Sequence, residues 1–316
     1  MEEKRLKPWH GILTFVVMMV IFVLAGYPIQ RKLGLLGVGI TELLLLVMAV
    51  GAALIFKQNL KQVFPVRLPR IREIIGVLLF WAGGFVLSMV VTLIIAVLFP
   101  QEMEQVSGGL NSVMTDGAMW MSILIVSILP AICEEAVHRG FIQHTFQGVK
   151  KQWVVVLSMG LIFGVFHLDP LRFATTAVLG ACMTWVLLKT GNMVLSSIYH
   201  AVNNLFPVLI SFATASAVST VAEDGAAAAE EVSVFGADPR MGLIAVAAYL
   251  MLSVVAPPLM LAGTALLKPK GEKIKGRHIV IVFILAAVLF FAGFVLMAVN
   301  IPYLLETQGV LLNELN

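Results

Sequence analysis

Long apolar runs without a charged residue are the feature that most limits the folds open to this chain. Residues 74–99, 241–267 and 279–299 form three of them, and each can cross ~30 Å of hydrocarbon at ~1.5 Å per residue. Backbone groups in lipid must find hydrogen bonds within the protein, so spanning segments are helices or strands of a closed barrel. These runs lack the two-residue alternation of barrel strands. The sequence therefore predicts an all-α, polytopic bundle of transmembrane helices.

The composition points to the same class. The chain is 60% hydrophobic and 12% charged, whereas soluble domains are about half apolar and a quarter charged. We expect the lipid bilayer to surround the protein and no nucleic acid to bind it. Cys133 and Cys182 both lie in apolar runs, which favours buried thiols over a disulfide or a metal cluster. The first apolar run lacks a convincing cleavage site and is interpreted as a retained helix.

We predict nine helices, hence about eight or nine spans, in a single integral membrane domain covering residues 1–316. Their predicted bounds are 11–27, 35–56, 73–99, 118–149, 153–167, 171–189, 193–214, 241–267 and 279–300. Residues 213–240 form the longest polar stretch, with an alanine run and five acidic residues. This stretch predicts a flexible outer loop or a short surface helix.

Basic residues mark alternate loops of this arrangement. They precede the first helix and lie between helices two and three, four and five, six and seven, and eight and nine, whereas the other loops are acidic or neutral. Arg31 and Lys32 are exceptions. By the positive-inside rule, the N-terminus is predicted to be cytoplasmic and the C-terminus to lie outside, in a protein of the plasma membrane.

Ionisable and strongly polar residues are costly inside a membrane, so their positions indicate function. Here they concentrate in three of the predicted helices: Glu134, Glu135, His138 and Arg139 in the fourth, His167 in the fifth, and His200, Asn203 and Asn204 in the seventh. This concentration predicts a polar active-site cavity within the membrane.

Helical spacing separates two adjacent acids. Glu135 and Arg139 are four residues apart and can form an ion pair, whereas Glu134 is rotated by ~100° and is left free for chemistry. His200 and Asn204 are also four apart and can point into one cavity. Glu134 lies 16 residues before Lys150, and His167 lies 16 after Lys151.

The fourth and fifth predicted helices would form a hairpin with its turn at Lys150 and Lys151. If both arms are helical, Glu134 and His167 each lie ~24 Å from that turn, at the same depth. Gly160 and Gly164 would allow another backbone to approach closely just before His167. We therefore expect Glu134 and His167 to share a water molecule. Glu42, by contrast, is interpreted as a helix-end residue near the outer surface.

Three motifs in this region resemble those of a known family. Glu134-Glu135-x-x-x-Arg139, Phe163-x-x-x-His167 and His200-x-x-x-Asn204 are similar, in order and in their placement on helices, to the motifs of the CPBP intramembrane proteases. That family includes the Rce1-type CAAX prenyl endopeptidases and the bacterial Abi proteins of bacteriocin processing and immunity. The resemblance covers about residues 118–210, the predicted catalytic core.

The resemblance implies an endopeptidase that cleaves membrane-associated or prenylated substrates with an activated water. Glu134 would be the general base, and His167 would orient or deprotonate the water. His200 and Asn204 would stabilise the oxyanion, while Glu135 and Arg139 would hold the site together and Phe163 would pack near His167. His138 departs from the bulky aromatic residue that often precedes the arginine.

Two alternatives remain open at this point. In the first, Glu134, His167 and His200 bind a hydrolytic zinc ion; we favour an enzyme without a cofactor, because Asn204 suits an oxyanion site and the histidines lack i,i+4 spacing. In the second, the chain is a non-enzymatic immunity or binding factor, or a transporter. Other intramembrane proteases fit less well, since the chain has no HExxH motif and Ser107 lies in a polar loop.

Overall fold

The computed structural model describes residues 6–223, 239–269, 272 and 274–314, and this part of the chain contains helices and no strand. The α-helices are α1 (Pro8–Ile21), α2 (Tyr27–Ile55), α3 (Leu60–Val63), α4 (Ile71–Leu98), α5 (Pro100–Met114), α6 (Met119–Ser122), α7 (Leu129–Glu135), α8 (Gln152–Phe166), α9 (Pro170–Thr190), α10 (Met193–Glu223), α11 (Pro239–Leu252), α12 (Ala256–Leu267) and α13 (Gly276–Glu314). Three π-helical segments, Phe22–Gly26, Ile123–Ile128 and Ala136–Ile142, and a 3₁₀ turn, Ser253–Val255, connect some of them.

The first 48 helical residues form a hairpin. Gly34 has a left-handed φ of 55° inside α2, and the chain reverses there. Across the two arms, Gln30 Nε2 donates to Thr41 Oγ1 at 2.7 Å, and the His10 and Phe56 rings at the open end are 5.6 Å apart. Glycine suits the bend because it adopts positive φ without the steric cost of a Cβ atom. The first two predicted helices are therefore two arms that meet at Gly34.

Seven helical segments of the described chain are long and apolar enough to cross a membrane. The first of them is this hairpin, so it supplies two arms. Gln152–Phe166 is apolar but only 15 residues long, about 22 Å at 1.5 Å per residue. The nine predicted apolar segments are thus all helical, and the predicted all-α polytopic bundle is confirmed.

Two predicted helix boundaries are wrong, and one helix was not predicted. The fourth helix does not reach residue 149: its last π-helical segment ends at Ile142, and residues 145–148 form a turn. The equal-depth calculation for Glu134 and His167 assumed a helix there, so its premise fails. The stretch 213–240 is helical up to Glu223, and residues 224–238 lie outside the described chain. An unpredicted amphipathic helix, α5, follows α4 directly.

Close packing of α8 against α9 follows from two glycines. A Cβ atom at Gly160 would lie 2.7 Å from the Ala177 carbonyl oxygen, and one at Gly164 would lie 2.9 Å from the Phe173 carbonyl oxygen. The predicted close backbone approach therefore exists, and its partner is α9. Small residues permit such contacts where lipid supplies no hydrophobic driving force between helices.

Two clusters of buried apolar side chains flank the centre of the bundle. One joins the N-terminal hairpin to the helix Met119–Ile142 and to α8, and includes Phe141 and Met159. The other joins α4 to α9 and α10, and includes Met183 and Tyr199. The polar side chains described next lie where these elements meet.

Candidate active site

The helix Met119–Ile142 carries both glutamates of the first motif between two π-helical segments. Pro130 has no N–H to donate to the carbonyl of Val126, four residues earlier. That carbonyl accepts a hydrogen bond from Asn204 Nδ2 at 3.1 Å. π-helical turns often occur at functional sites. Here the local break in the helix anchors a side chain of the third motif.

Glu135 and Arg139 form the ion pair that their spacing predicts. Glu135 Oε1 lies 2.9 Å from Arg139 Nη1, and neither side chain is exposed to solvent. Arg139 Nη2 also donates to the Gly180 carbonyl oxygen at 3.1 Å, and its guanidinium lies 4.5 Å from the centre of the Phe163 ring. A buried charge needs such partners. This pair therefore connects the helix Met119–Ile142 to α8 and α9.

His200 lies between the two adjacent glutamates. Its Nδ1 is 3.2 Å from Glu135 Oε1, and its Nε2 is 3.9 Å from Glu134 Oε2. The second distance is longer than a hydrogen bond, and Glu134 Oε2 is a buried atom with no hydrogen-bond partner. Glu134 is thus the acid that forms no ion pair with Arg139, as the spacing predicted.

His167 ends α8 at a strained turn. Its Nδ1 donates to the Phe163 carbonyl oxygen at 2.9 Å, so in the neutral ring Nε2 is an acceptor. The next residue, Leu168, has a positive φ of 52°, a conformation that is costly for a residue with a Cβ atom and is often found at functional sites. The turn leaves His167 only partly buried.

The Phe163 ring is the common neighbour of the site histidines. Its centre is 4.9 Å from that of His167 and 5.7 Å from that of His200. Among the described residues, no hydrogen bond or ion pair joins Glu134 to His167, and the imidazole facing Glu134 is that of His200. The sharing of a water between Glu134 and His167 stays a prediction.

His138 takes the place of a packing aromatic residue. It is fully buried, its Nδ1 donates to the Glu134 carbonyl oxygen at 2.8 Å, and its ring is 5.0 Å from Phe163 and 4.8 Å from Phe166. These contacts give it a structural role beneath the site.

Asn204 lines a cavity of about 430 Å³. Because its Nδ2 carries two hydrogens and gives one to the Val126 carbonyl, one donor remains for a bound group. Asn203 Nδ2 lies 3.4 Å from Asn204 Oδ1 and lines the same cavity. The cavity is walled by α4, α5, α9 and α10, and it borders the cluster of glutamates and histidines through Asn204.

Glu42 was placed wrongly by the sequence interpretation. Its side chain is buried, with 5% exposure, and its carboxyl group faces that of Glu134. Its Oε2 has no hydrogen-bond partner. Glu42 therefore belongs to the site and not to the outer surface. An acidic residue in a long apolar helix was the available signal.

Arg172, in the first turn of α9, is a second residue that the sequence interpretation missed. It lines the cavity beside Asn203 and Asn204. A charged residue inside an apolar segment, five positions after His167, was the signal that could have found it.

The residues of the zinc alternative do not form a preformed ligand set. Within the described chain, no group of three His, Cys, Asp or Glu side chains is arranged to hold a metal ion. Glu134 and His200 are close, but His167 would have to move to complete a site with them. These three side chains, as arranged, therefore do not fit a zinc ion.

The comparisons with known proteins give one match. The family model described as type II CAAX prenyl endopeptidase Rce1-like matches residues 116–206, less than a third of the chain and nearly the segment predicted from the motifs. No curated protein and no solved structure matches. The match covers Glu134, His167, His200 and Asn204, and it supports the CPBP/CAAX protease family that the motifs indicated.

Proposed function

We propose that this protein is an intramembrane endopeptidase of the CAAX type that hydrolyses membrane-associated or prenylated peptide substrates. The observation that carries the proposal is the environment of Glu134, whose buried Oε2 has no hydrogen-bond partner and lies 3.9 Å from His200 Nε2. A buried carboxylate with an oxygen that accepts no hydrogen bond is suited to take up a proton. The family match supports the choice of peptide hydrolysis.

In the proposed reaction, Glu134 removes a proton from water as the water oxygen bonds to the scissile carbonyl carbon. His167 orients that water through Nε2, which is free because Nδ1 binds the Phe163 carbonyl. The carbonyl oxygen becomes an oxyanion. When the C–N bond breaks, Glu134 returns its proton to the departing amine, so the water is consumed and no cofactor is required.

Asn204 and His200 stabilise the oxyanion. Asn204 offers its remaining Nδ2 hydrogen, and the Val126 carbonyl fixes the orientation of the amide. For His200 the role requires protons on both ring nitrogens, because Nδ1 donates to Glu135 Oε1 and Nε2 must donate to the oxyanion. Donors that are positioned before the reaction stabilise developing charge without reorganisation. Glu135 and Arg139 act only by holding His200 and the surrounding helices in place.

The test is cleavage of a farnesylated, internally quenched peptide ending in a CAAX sequence by the purified full-length chain in lipid nanodiscs. We expect turnover by the wild type and none by Glu134→Gln, with both proteins showing the same thermal midpoint. No cleavage by a folded wild type, of this peptide or of peptides from a screen of membrane proteins, would favour the immunity, binding or transport alternative.

We further propose that the protein lies in the plasma membrane with a cytoplasmic N-terminus. The support is the distribution of basic residues between alternate loops.

A further inference from the structure

The Arg172 guanidinium makes no hydrogen bond and no ion pair with any described residue. The nearest acid in sequence, Asp169, caps α9 by accepting at Oδ1 from the backbone N–H groups of Leu171 and Arg172. Asp169 and, more weakly, Glu134 contribute to the field at Arg172, but neither carboxylate forms a hydrogen bond or an ion pair with its guanidinium. A cation without a partner in a membrane-spanning region is expensive and marks a binding site.

The surroundings of Arg172 indicate which kind of ligand could pair with its guanidinium. It lines the 430 Å³ cavity together with Thr175, Asn203 and Asn204, and the other walls are mainly apolar, including Phe85 and Leu179. Thr175 already shares a hydrogen bond with Thr92. The cavity thus combines one cation, amide groups and apolar walls, a combination that suits an anion attached to a hydrophobic body.

We propose that Arg172 binds the C-terminal carboxylate of the peptide substrate, an inference that rests on the proposed function. The planar guanidinium matches a carboxylate through two parallel hydrogen bonds. The C-terminal carboxylate of a peptide is always on the leaving-amine side of the scissile bond, and because Asn204 lines the same cavity as Arg172, few residues separate that bond from the carboxylate. The enzyme then removes a short C-terminal peptide, and the apolar walls receive its side chains.

A lipid phosphate has the same anionic chemistry but fits the structure less well. The walls come from four helices, α4, α5, α9 and α10, and include Asn204. A headgroup bound there would occupy the space next to the proposed oxyanion donor, where the substrate must lie. The peptide carboxylate has no such conflict.

The experiment compares two farnesylated CAAX peptides that differ only in a free C-terminal carboxylate or a carboxamide. The full-length wild type is expected to have a kcat/KM about 10–100-fold higher for the carboxylate, the range of one charge-assisted contact. Arg172→Gln should cleave both peptides at similar rates, and Arg172→Lys should keep part of the preference. Thr175→Val, which changes the same cavity without changing its charge, should keep the full preference.

Binding is measured in parallel on the Glu134→Gln variant, by fluorescence anisotropy of the same two peptides. Tighter binding of the carboxylate without any cleavage by the wild type would contradict the proposed function and support the carboxylate site. Cleavage without discrimination, or discrimination that survives Arg172→Gln, would overturn the site and leave the proposed function. A third outcome is that activity depends on anionic lipid and that Arg172→Gln abolishes this dependence but keeps the preference for the carboxylate peptide. That result would assign Arg172 to a lipid headgroup and overturn the proposal.

Discussion

Glu134 and Glu135 are adjacent in sequence and both face His200, but only Glu135 is paired with an arginine. Glu135 is held by Arg139 and His200 at 2.9 and 3.2 Å. Glu134 Oε2 has no hydrogen-bond partner and faces His200 and Glu42. The rotation of ~100° between successive helical residues accounts for this division. It also yields a prediction in which the two acids behave differently.

Glu134→Gln should abolish turnover and leave thermal stability near that of the wild type, because the substitution removes a base that holds no structural hydrogen bond at Oε2. Glu135→Gln should also lower stability, by about 3–5 kcal/mol, because it leaves Arg139 as an unpaired buried charge. Cleavage assays and thermal melts of both variants measure this. The reverse pattern would mean that the roles of the two acids are exchanged.

Asn204→Ala should lower kcat by about 10²–10³-fold with little change in KM, since it removes a donor used in the transition state. Asn203→Ala provides the matched control. Asn203 lines the same cavity and touches Asn204 only at 3.4 Å, so its loss should cost less than ~10-fold. Equal losses for the two variants, or an effect confined to KM, would contradict the oxyanion role.

Activity should survive exhaustive chelation, and purified active protein should contain well below one metal ion per chain by mass spectrometry. The reason is that Glu134, His167 and His200 are not arranged as a ligand set in the described chain. Stoichiometric zinc, with activity lost on chelation and restored by Zn²⁺, would move these three residues into ligand roles. The reaction class would stay the same, with a Lewis acid activating the water.

Residues that act through spacing on one helix were predictable, and residues brought in from distant helices were not. The pair Glu135–Arg139 and the shared helix of His200 and Asn204 follow from four-residue spacing. Glu42 reaches Glu134 from another helix, across 92 positions of sequence. Arg172 enters the cavity because α9 starts there. The spacing of residues along one helix carries no information about such contacts between helices.

At the scale of elements, apolar length predicted which segments are helical, and local breaks explain where the bounds differ. Pro130 lies next to a π-helical segment and leaves the Val126 carbonyl to Asn204. The π-helical segment ends at Ile142, residues 143–144 are still helical, and residues 145–148 form a turn. Hydropathy averages over such breaks and therefore misses them. It also missed α5, whose apolar content is low.

Gly160→Ala should destabilise the protein and lower its activity. The added methyl group would lie 2.7 Å from the Ala177 carbonyl oxygen. Because this oxygen belongs to the backbone, the clash is relieved only if α9 moves away from α8, which should lower the free energy of unfolding by about 1–3 kcal/mol. Gly51→Ala is the control, because a Cβ atom there meets nothing within 4 Å and alanine favours a helix by ~1 kcal/mol. Thermal melts and cleavage rates distinguish them; equal stability of the two variants would contradict the packing argument.

At the scale of the whole molecule, the number of crossings decides whether the two termini lie on the same side of the membrane. Among the described residues, the hairpin at Gly34 supplies two arms, and six further segments are long and apolar enough to cross once each. The short α8 brings the total to nine if it crosses as the predicted fifth helix does, and the total is eight without it. With nine crossings, the positive-inside rule predicts termini on opposite sides.

We therefore predict that the N-terminus is cytoplasmic and that the C-terminus lies outside. The basis is the basic loop between α2 and α4, against the acidic stretch between α10 and α11. Single cysteines introduced at 64–70 and 226–235, in a variant with Cys133 and Cys182 replaced by alanine, can be labelled with a membrane-impermeant maleimide on intact cells. The second site should react and the first only after permeabilisation. Labelling of the first site from outside, with the second protected, would invert the topology and place the proposed catalytic cavity toward the opposite face of the membrane.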